Sequence, residues 1–373
     1  QSFLLQILSF YRPFLPPCRI CSLYHKSPYF NITKSKESNA VHKILCVQRD
    51  PDILLPYKVE VSQEIYMAIW ISEDQVTELL PMDECVKVVE QSFRKQAEGT
   101  VLNKPRYRIR MPEGFFHLMS AGYADPLVVG LKTYTTFKKG SAAIVLLFDG
   151  DSGSLLATIE ANNLGRIRTG AASGVATKFM ARPDDPVVGI IGTGFQATTQ
   201  IEAISKVRNI SKVICYSRTK EKREAFAKYL SQSMSIDTVA CSSAKACVEQ
   251  ADIVTTITSS RLPVFTGTHL QEGTHVNAAG SNHWMRQEID TTTVQRSTRI
   301  AVDDLTQAKI ECGDLFPAIE QGFTRWESIY NLGDIVSGAI AGRPDTQAIT
   351  LYESQGVAFQ DVAVALHIYE KLK

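Results

Sequence analysis

One short segment near the middle of the chain constrains the fold more than any other. An apolar run, VVGII at positions 187–191, is followed directly by GTGFQA at positions 192–197, where a helical pattern begins. A buried strand that ends in a glycine turn and leads into a helix is the context in which such a motif binds a dinucleotide. Gly192 permits the tight turn, Gly194 lets the backbone approach a pyrophosphate, and Ala197 allows close packing of the helix on the strand. The phosphates are expected at the helix N-terminus, where N–H groups favour negative charge.

The stretch from residue 183 to residue 319 alternates between two hydrophobic periods. Short apolar runs such as KVICYS, DIVTTIT and RIAVDD alternate with helical patterns such as KEKREAFAKYLS. Strands that alternate with helices of this length predict a parallel sheet with right-handed crossovers. We therefore expect an α/β fold in which residues 183–319 form a Rossmann dinucleotide-binding domain.

The regions on either side have a different pattern. Residues 106–148 predict several short strands, and residues 163–181 predict a long helix rich in small side chains. The chain beyond about residue 315 is predicted to be helical, and its last helix has no place in a Rossmann unit. Residues 67–182 and 320–373 are therefore expected to form a second domain of α+β type.

The first 66 residues differ in composition from the rest. The first methionine is Met67, and residues 1–36 contain Arg and Lys side chains but no acidic residue. Acid-poor basic segments can be organelle transit peptides. The alternative is a disordered or non-native extension, because prolines are frequent and no helical period persists. A cytoplasmic protein is expected unless the extension is a genuine transit peptide.

Charge and cysteine content argue against several functional classes. The formal net charge is +1, which gives no electrostatic reason to expect nucleic acid or an anionic membrane as a partner. Among the eight cysteines, only Cys18 and Cys21 form a Cys-x-x-Cys pair. With no second pair to complete a zinc site, no metal site is predicted.

The end of the second strand of the Rossmann pattern bears on the choice of dinucleotide. NAD sites usually carry an Asp or Glu there, about 20 residues past the glycines, for the ribose 2′-OH. Here positions 215–220 read CYSRTK, with no acid. Ser217 and Thr219 can donate hydrogen bonds, and Arg218 can pair with a 2′-phosphate. The loop favours NADP(H), with NAD(H) as the alternative.

Three cationic positions in the α+β part are candidates for binding an anionic group. They are Arg106 in PRYR, Lys132 in GLKTY, and the arginines of LGRIRT at positions 164–169. Each has an ordinary alternative, a solvated charge at the end of a strand. Lys132 stands out because it follows the apolar run LVVGL, and a lysine buried there needs an anionic partner.

Taken together and in this order, these pieces resemble the ornithine cyclodeaminase/mu-crystallin family. The likeness runs from Met67 to the C-terminus. It includes PRYR, GLKTY, LFDGDSG, LGRIRTGAAS, IGTGFQA, VNAAGSN, VDDLTQAKIECGDL, LGDIVSG and YESQGVAFQDVA. The resemblance implies a homodimer in which the outer domain supplies the interface and the substrate pocket, while a Rossmann domain binds the cofactor.

The resemblance also implies roles for individual residues. Arg106 and Lys132 match a pair that binds the substrate carboxylate, and Arg168 and Thr169 match an outer-domain contribution to the cofactor phosphates. Further positions match cofactor contacts: Phe195, Gln196, Ser217, Thr258, Val276, Asn277, Ala278, Ala279, Arg286 and Ser354. Gln355 matches a substrate contact.

One departure from the family pattern bears on the reaction. Ornithine cyclodeaminases carry an aspartate two residues after the glycine of the matching strand end, where it acts as acid and base. Here the run is Gly280-Ser281-Asn282. An amide can hydrogen-bond but cannot accept a proton near neutral pH, so Asn282 is expected to orient the substrate. Glu288 is interpreted as a structural carboxylate.

The leading hypothesis is therefore an NADPH-dependent reductase of small imino or keto acids, of the ketimine reductase or amino-acid dehydrogenase type. Arg106 would hold the carboxylate, and Lys132 or a bound water would supply the proton. One alternative is ornithine cyclodeamination to proline and ammonia, with another group in place of the missing acid. The other is a low-turnover protein that binds NADPH and a small molecule.

Overall fold

The computed structural model describes residues 68–373. The expected extension at residues 1–66 lies outside the described residues. None of the helices in the described range combines the length and apolarity that crossing a bilayer requires.

The described chain contains fourteen strands and eleven α-helices. The strands are β1 (Ile69–Ile71), β2 (Val101–Met111), β3 (Gly114–Ala124), β4 (Leu127–Phe137), β5 (Ala143–Asp149), β6 (Leu155–Glu160), β7 (Val187–Ile191), β8 (Lys212–Tyr216), β9 (Thr238–Ala240), β10 (Ile253–Thr256), β11 (His275–Ala278), β12 (Ser297–Val302), β13 (Ile329–Asn331) and β14 (Ile349–Glu353). The helices are α1 (Glu73–Leu79), α2 (Met82–Ala97), α3 (Asn162–Met180), α4 (Ala197–Ser205), α5 (Lys220–Ser233), α6 (Ala244–Val248), α7 (Thr291–Arg296), α8 (Leu305–Glu311), α9 (Phe316–Glu320), α10 (Leu332–Val336) and α11 (Ala358–Lys371).

The first sheet has six strands in the order β1-β6-β5-β4-β3-β2. Strands β2 to β6 form an antiparallel meander, whereas β1 pairs in parallel with β6. One core joins this sheet to helices α2, α3 and α11. Within it the rings of Phe93 and Phe359 meet edge to face, 5.6 Å apart. The last helix of the chain thus packs on the antiparallel sheet.

The second sheet has eight parallel strands in the order β13-β12-β14-β11-β10-β7-β8-β9. The predicted α/β fold with a parallel Rossmann sheet is confirmed. Strands β13 and β14 also belong to this sheet, although we expected the Rossmann domain to end at residue 319 and the following chain to be helical. The boundary was misplaced because a short, fully buried strand such as Ile349–Glu353 has no alternating pattern that distinguishes it from a helix.

Helix α3 connects the two sheets and lies very close to α4. A Cβ atom at Gly170 would lie 2.3 Å from the Thr199 carbonyl oxygen, and one at Gly174 would lie 3.0 Å from that of Ala203. Only glycine at these positions allows the two helix backbones to approach so closely. The contact places the middle of α3 beside the helix that follows the glycine motif.

Candidate active site

The glycine turn has the geometry that the motif predicts. Gly192 follows β7 with φ of +110°, and a Cβ atom there would lie 2.3 Å from the Ile257 carbonyl oxygen. A side chain at this position is therefore excluded by both conformation and space. Gly194 is exposed, and apart from Gly194 and its two chain neighbours no described residue has an atom within 4 Å of the place its Cβ would take. This is the open approach that a pyrophosphate requires at the N-terminus of α4.

The residues after the turn present an aromatic ring and an amide. Phe195 is 61% exposed, and the guanidinium of Arg166 lies 4.9 Å from the centre of its ring. The Oε1 atom of Gln196 is buried without a hydrogen-bond partner in the described chain. Arg166 is thus the arginine of the LGRIRT motif beside the glycine turn, and a cation there suits a bound phosphate. Sequence analysis singled out this motif, but the family resemblance assigned the phosphate contact to Arg168.

Arg168 and Thr169, which we expected at the cofactor phosphates, point elsewhere. The Nε of Arg168 donates to Asp361 over 2.9 Å, and its Nη1 donates to the Gln360 side chain over 3.2 Å. The Thr169 hydroxyl donates to the Gly165 carbonyl within its own helix. Two residues along an α-helix turn the side chain by about 200°, so Arg166 and Arg168 face different partners. Arg168 therefore lies with the substrate-binding candidates.

The loop after β8 carries the residues that we expect to discriminate between cofactors. Ser217 accepts a hydrogen bond from the Thr193 hydroxyl over 3.0 Å and donates to the Thr219 carbonyl over 3.2 Å. Arg223 donates to the Ser217 carbonyl and lies over the Tyr216 ring, which holds the loop against the sheet. Arg218 and Thr219 are exposed.

The carboxyl ends of β10 and β11 lie side by side at the same edge of the parallel sheet. The Glu288 carboxylate accepts hydrogen bonds of 2.6 Å from the backbone N–H groups of Thr258 and Gly280. It thereby ties the end of β10 to the end of β11, in line with its interpretation as a structural residue. Burial raises the pKa of this carboxyl.

Two residues of β11 that we expected to contact the cofactor, Val276 and Asn277, have buried side chains. Asn277 donates from its amide to Thr177 over 3.0 Å and contacts His275 over 3.1 Å, and Val276 is fully buried. Their side chains belong to the interior, so any contact of theirs with a cofactor falls to the backbone. Ala278 and Ala279, at the carboxyl end, lie nearer the edge where ligands of such sheets bind.

A buried ion cluster lies between the antiparallel sheet and the last helix. Lys132 on β4 donates to Asp361 on α11 over 2.8 Å, at the same Oδ1 atom that accepts from Arg168. Both cationic side chains are at most 7% exposed and the carboxylate is fully buried. Burial lowers the pKa of Lys132 to about 8, against the opposing effect of Asp361. Sequence reasoning anticipated an anionic partner for Lys132 but did not name Asp361.

Arg106 is buried, and its partners are protein groups. Its Nη2 donates to the carbonyl oxygens of Gln355 and Gly356 over 2.9 and 2.8 Å, and its Nη1 pairs with Glu311. Arg108 also pairs with Glu311, over 2.6 Å. Both Nη2 hydrogens of Arg106 are already engaged. Arg106 therefore cannot offer a substrate carboxylate the two parallel N–H groups of a bidentate contact. Its role as a carboxylate ligand stays a prediction.

Four more residues were expected to contact the substrate or the cofactor, all from the second half of the chain. Some of them lie near the buried ion pairs, and one lies at the surface. The Asn282 carbonyl accepts from Arg108, which brings the loop after β11 to the cluster. Ser354 donates to Asp303 over 3.4 Å, and the Gln355 amide donates to the Cys312 sulfur over 3.3 Å. The Arg286 side chain is exposed.

Aromatic side chains of β3 and β4 pack beside Lys132. The His117 ring stacks on Tyr134 at 4.2 Å, and Tyr134 lies 5.8 Å from the Lys132 ammonium. Phe115 meets His283, from the loop after β11, at 5.9 Å. Burial lowers the pKa of His117 to about 3, so this imidazole is neutral at physiological pH. It is therefore a poor proton donor, whereas Lys132 is well placed to be one.

Comparison with known proteins agrees with this arrangement. The sequence model of the ornithine cyclodeaminase/mu-crystallin family matches residues 68–373. The chain belongs to this family. Within the ornithine cyclodeaminase/mu-crystallin family, the chain is 39% identical over 251 residues to a delta(1)-pyrroline-2-carboxylate reductase of Bacillus cereus, covering 65% of this chain and 77% of the relative.

Two solved structures show the same architecture. The delta(1)-pyrroline-2-carboxylate reductase of Thermococcus litoralis, in complex with NADH and L-proline, superposes with a TM-score of 0.78 at 32% identity, covering 81% of this chain and 97% of that one. An archaeal alanine dehydrogenase dimer with bound NAD gives a TM-score of 0.77 at 32% identity, covering 81% and 95%.

Proposed function

We propose that this protein is an NAD(P)H-dependent oxidoreductase that reduces the C=N bond of a small imino acid, of the ketimine reductase or amino-acid dehydrogenase type. The observation that carries the proposal is the buried Lys132–Asp361 pair, which lies within charge-interaction range of Arg106. Arg106 shares Glu311 with Arg108, and Arg108 donates to the Asn282 carbonyl in the loop after β11. The names of the similar proteins, pyrroline-2-carboxylate reductase and alanine dehydrogenase, support the same reaction class.

The residues at the glycine turn fit a nicotinamide dinucleotide, which supplies the hydride when bound. The open space over Gly194 and the N-terminus of α4 suit the pyrophosphate, and Arg166 adds a positive charge beside Phe195. The unpartnered Oε1 of Gln196 is available to a ligand N–H or hydroxyl group.

The ion cluster suits a substrate that carries one carboxylate. Four cations, Arg106, Arg108, Lys132 and Arg168, lie here with three carboxyl groups, Glu311, Asp361 and Asp303. The Nη2 group of Arg168 has no hydrogen-bond partner in the described chain, and Lys132 uses one of its three N–H groups on Asp361. Arg168 and Lys132 can therefore hold a carboxylate while Lys132 directs a proton to the neighbouring nitrogen.

The test is oxidation of NADPH or NADH by the purified protein. Substrates are 1-pyrroline-2-carboxylate, 1-piperideine-2-carboxylate, and pyruvate with ammonia. We expect rapid turnover with at least one of them and no release of ammonia from ornithine with catalytic NAD, because Asn282 replaces the required acid. Failure across the whole panel, or conversion of ornithine to proline and ammonia, would contradict the proposal.

Within the nicotinamide dinucleotides we propose a preference for NADP(H). The solved relatives named above carry NADH or NAD, so the support comes from this chain's own loop. That loop has no carboxylate for the 2′-OH, and Arg218 is exposed without an ion pair among residues 68–373. An arginine at this position can pair with the 2′-phosphate of NADPH.

Replacement of Arg218 by alanine should weaken NADPH binding by about tenfold or more, since charge-assisted hydrogen bonds contribute roughly 1.5–3 kcal/mol. NADH binding should change little. Fluorescence titration of both nucleotides measures the two affinities, with Lys228→Ala, an exposed lysine of α5, as the matched control. A wild-type protein that binds NADH more tightly than NADPH would overturn the assignment.

We also propose that the protein is a homodimer through the outer face of the antiparallel sheet. The strand register places Leu102, Tyr107, Ile109 and Val129 on the face opposite the core, where they are 75%, 64%, 44% and 47% exposed. An exposed sheet face with several large apolar side chains is typical of a protein interface. The archaeal alanine dehydrogenase to which the chain is similar is a dimer, which supports the proposal.

Replacement of Leu102 by glutamate should convert the dimer largely to monomer at micromolar concentration, because it places a charge in the apolar face. Sedimentation velocity measures the change, and Lys222→Glu on the exposed side of α5 is the control. If wild-type protein sediments as a monomer, or the variant remains a dimer of unchanged affinity, this face is not the interface.

A further inference from the structure

Asp361 has an unusual set of partners for a buried carboxylate. A single oxygen, Oδ1, accepts from both Lys132 and Arg168, over 2.8 and 2.9 Å. The other oxygen, Oδ2, is also buried and has no hydrogen-bond partner among the described residues. An unsatisfied buried acceptor is unfavourable, so an arrangement selected for stability alone would satisfy both oxygens.

The strands on either side of Lys132 place Met119 and Val145 opposite it, whereas charged and titratable groups come from other elements and from β4 itself. Arg106 comes from β2, Arg168 from α3 and Asp361 from α11, and the Tyr134 ring lies along β4. From α2, the Cys85 thiol faces Arg168 and Asp361, and burial raises the pKa of this thiol so that it stays neutral. Two of the neighbours are cations that disfavour the ammonium form of Lys132. Asp361 is the one group of this set that favours it.

We propose that Asp361 is the positioning residue for proton transfer: its carboxylate orients the Lys132 ammonium and keeps it protonated in a buried, cation-rich site. The inference rests on the proposed function. In the reduction, a Lys132 N–H bond breaks and an N–H bond forms at the substrate nitrogen, which receives the electron pair of the C=N bond. The carbon receives the hydride supplied by the nicotinamide, and Lys132 remains neutral until solvent restores its proton.

The direction in which kcat/KM changes with pH follows from the charges of Lys132 and Asp361. Burial lowers the pKa of Lys132 to about 8, and Asp361 opposes that decrease. Reduction needs the protonated lysine, so kcat/KM for reduction should fall as the pH rises through about 8. Removing the carboxylate charge removes the opposing effect, so the pKa of Lys132 should fall further and the alkaline limb should move to lower pH.

The experiment is the pH profile of kcat/KM for reduction in wild type and in Asp361→Asn. We expect the alkaline limb of the variant to move by about one pH unit or more toward acid, since one unit corresponds to the loss of a single close charge interaction. Asp361→Glu keeps the charge but moves it by one methylene. This variant should lower kcat and leave the limb near its wild-type position. It also provides the test if the asparagine variant does not fold.

Asp314→Asn is the matched control, because Asp314 is another buried carboxylate that binds backbone N–H groups and does not contact Lys132. It should leave the limb unmoved whatever its effect on stability. Two results with an active wild type would overturn the positioning role. In one, the alkaline limb of the pH profile is the same in Asp361→Asn as in wild type. In the other, Asp361→Glu moves the limb as far as Asp361→Asn does. A wild type that reduces no imino acid would instead overturn the proposed function.

Discussion

Replacement of Gly194 by valine is expected to abolish dinucleotide binding and to leave the fold intact. Apart from Gly194 and its two chain neighbours, no described residue has an atom within 4 Å of the position that a Cβ would take, and the backbone φ of Gly194 is not in the left-handed region. A valine side chain can therefore be accommodated by the protein itself. It would occupy the space through which a pyrophosphate reaches the backbone N–H groups of α4.

The expected effect of Gly194→Val is a loss of NADPH and NADH affinity of about 100-fold or more, which corresponds to roughly 3 kcal/mol. The midpoint of chemical unfolding should change little. Gly192→Ala is the informative contrast, because a Cβ there would meet the Ile257 carbonyl at 2.3 Å and should destabilise the fold itself. Wild-type nucleotide affinity in Gly194→Val would show that the dinucleotide does not bind at this turn.

Replacement of Lys132 by methionine is expected to stop reduction without preventing cofactor binding. Methionine retains most of the apolar length of lysine but has no proton to donate. Loss of a positioned general acid typically costs 10²–10⁴-fold in rate, so kcat should fall by about that factor. The NADPH dissociation constant should stay close to wild type, because Lys132 pairs with Asp361 and not with the glycine turn.

Lys138→Met is the control for this substitution. Lys138 follows β4 as an exposed lysine that pairs with Glu113 at the surface, with 76% of its side chain exposed. Its replacement should leave kcat unchanged. Wild-type turnover in Lys132→Met would remove the lysine from the mechanism, and a parallel loss in Lys138→Met would point to a general effect of charge.

The parallel sheet could be predicted from the sequence because its signals are local. The apolar run before Gly192 and the alternation that follows it need no knowledge of distant residues. Strand β14 escaped prediction for the opposite reason. All five of its residues are buried between β11 and β12, so the segment carries no alternation, and its place in the sheet depends on pairing with residues far away in the chain.

The candidate site could be predicted in its residue types but not in its pairings. Lys132 was recognisable because a lysine after an apolar run needs a partner, yet that partner, Asp361, lies 229 positions further along the chain. Arg106 could be expected to bind a carboxylate, but the sequence could not show that its guanidinium already pairs with Glu311. Arg166 and Arg168 are nearly adjacent in sequence, and only the helix rotation separates the arginine at the glycine turn from the one in the ion cluster.

The most direct test of the account is transfer of a deuterium label from the cofactor to the product. NADPH deuterated at the transferable position of the nicotinamide, prepared in each of its two stereoisomers, is mixed with the protein and 1-pyrroline-2-carboxylate, and the product is analysed by mass spectrometry and NMR. We predict proline that carries one deuterium on its α-carbon with one of the two stereoisomers. Proline without label from both stereoisomers, or no product from 1-pyrroline-2-carboxylate while 1-piperideine-2-carboxylate and pyruvate with ammonia are also left unreduced, would contradict hydride transfer to an imine carbon at this site.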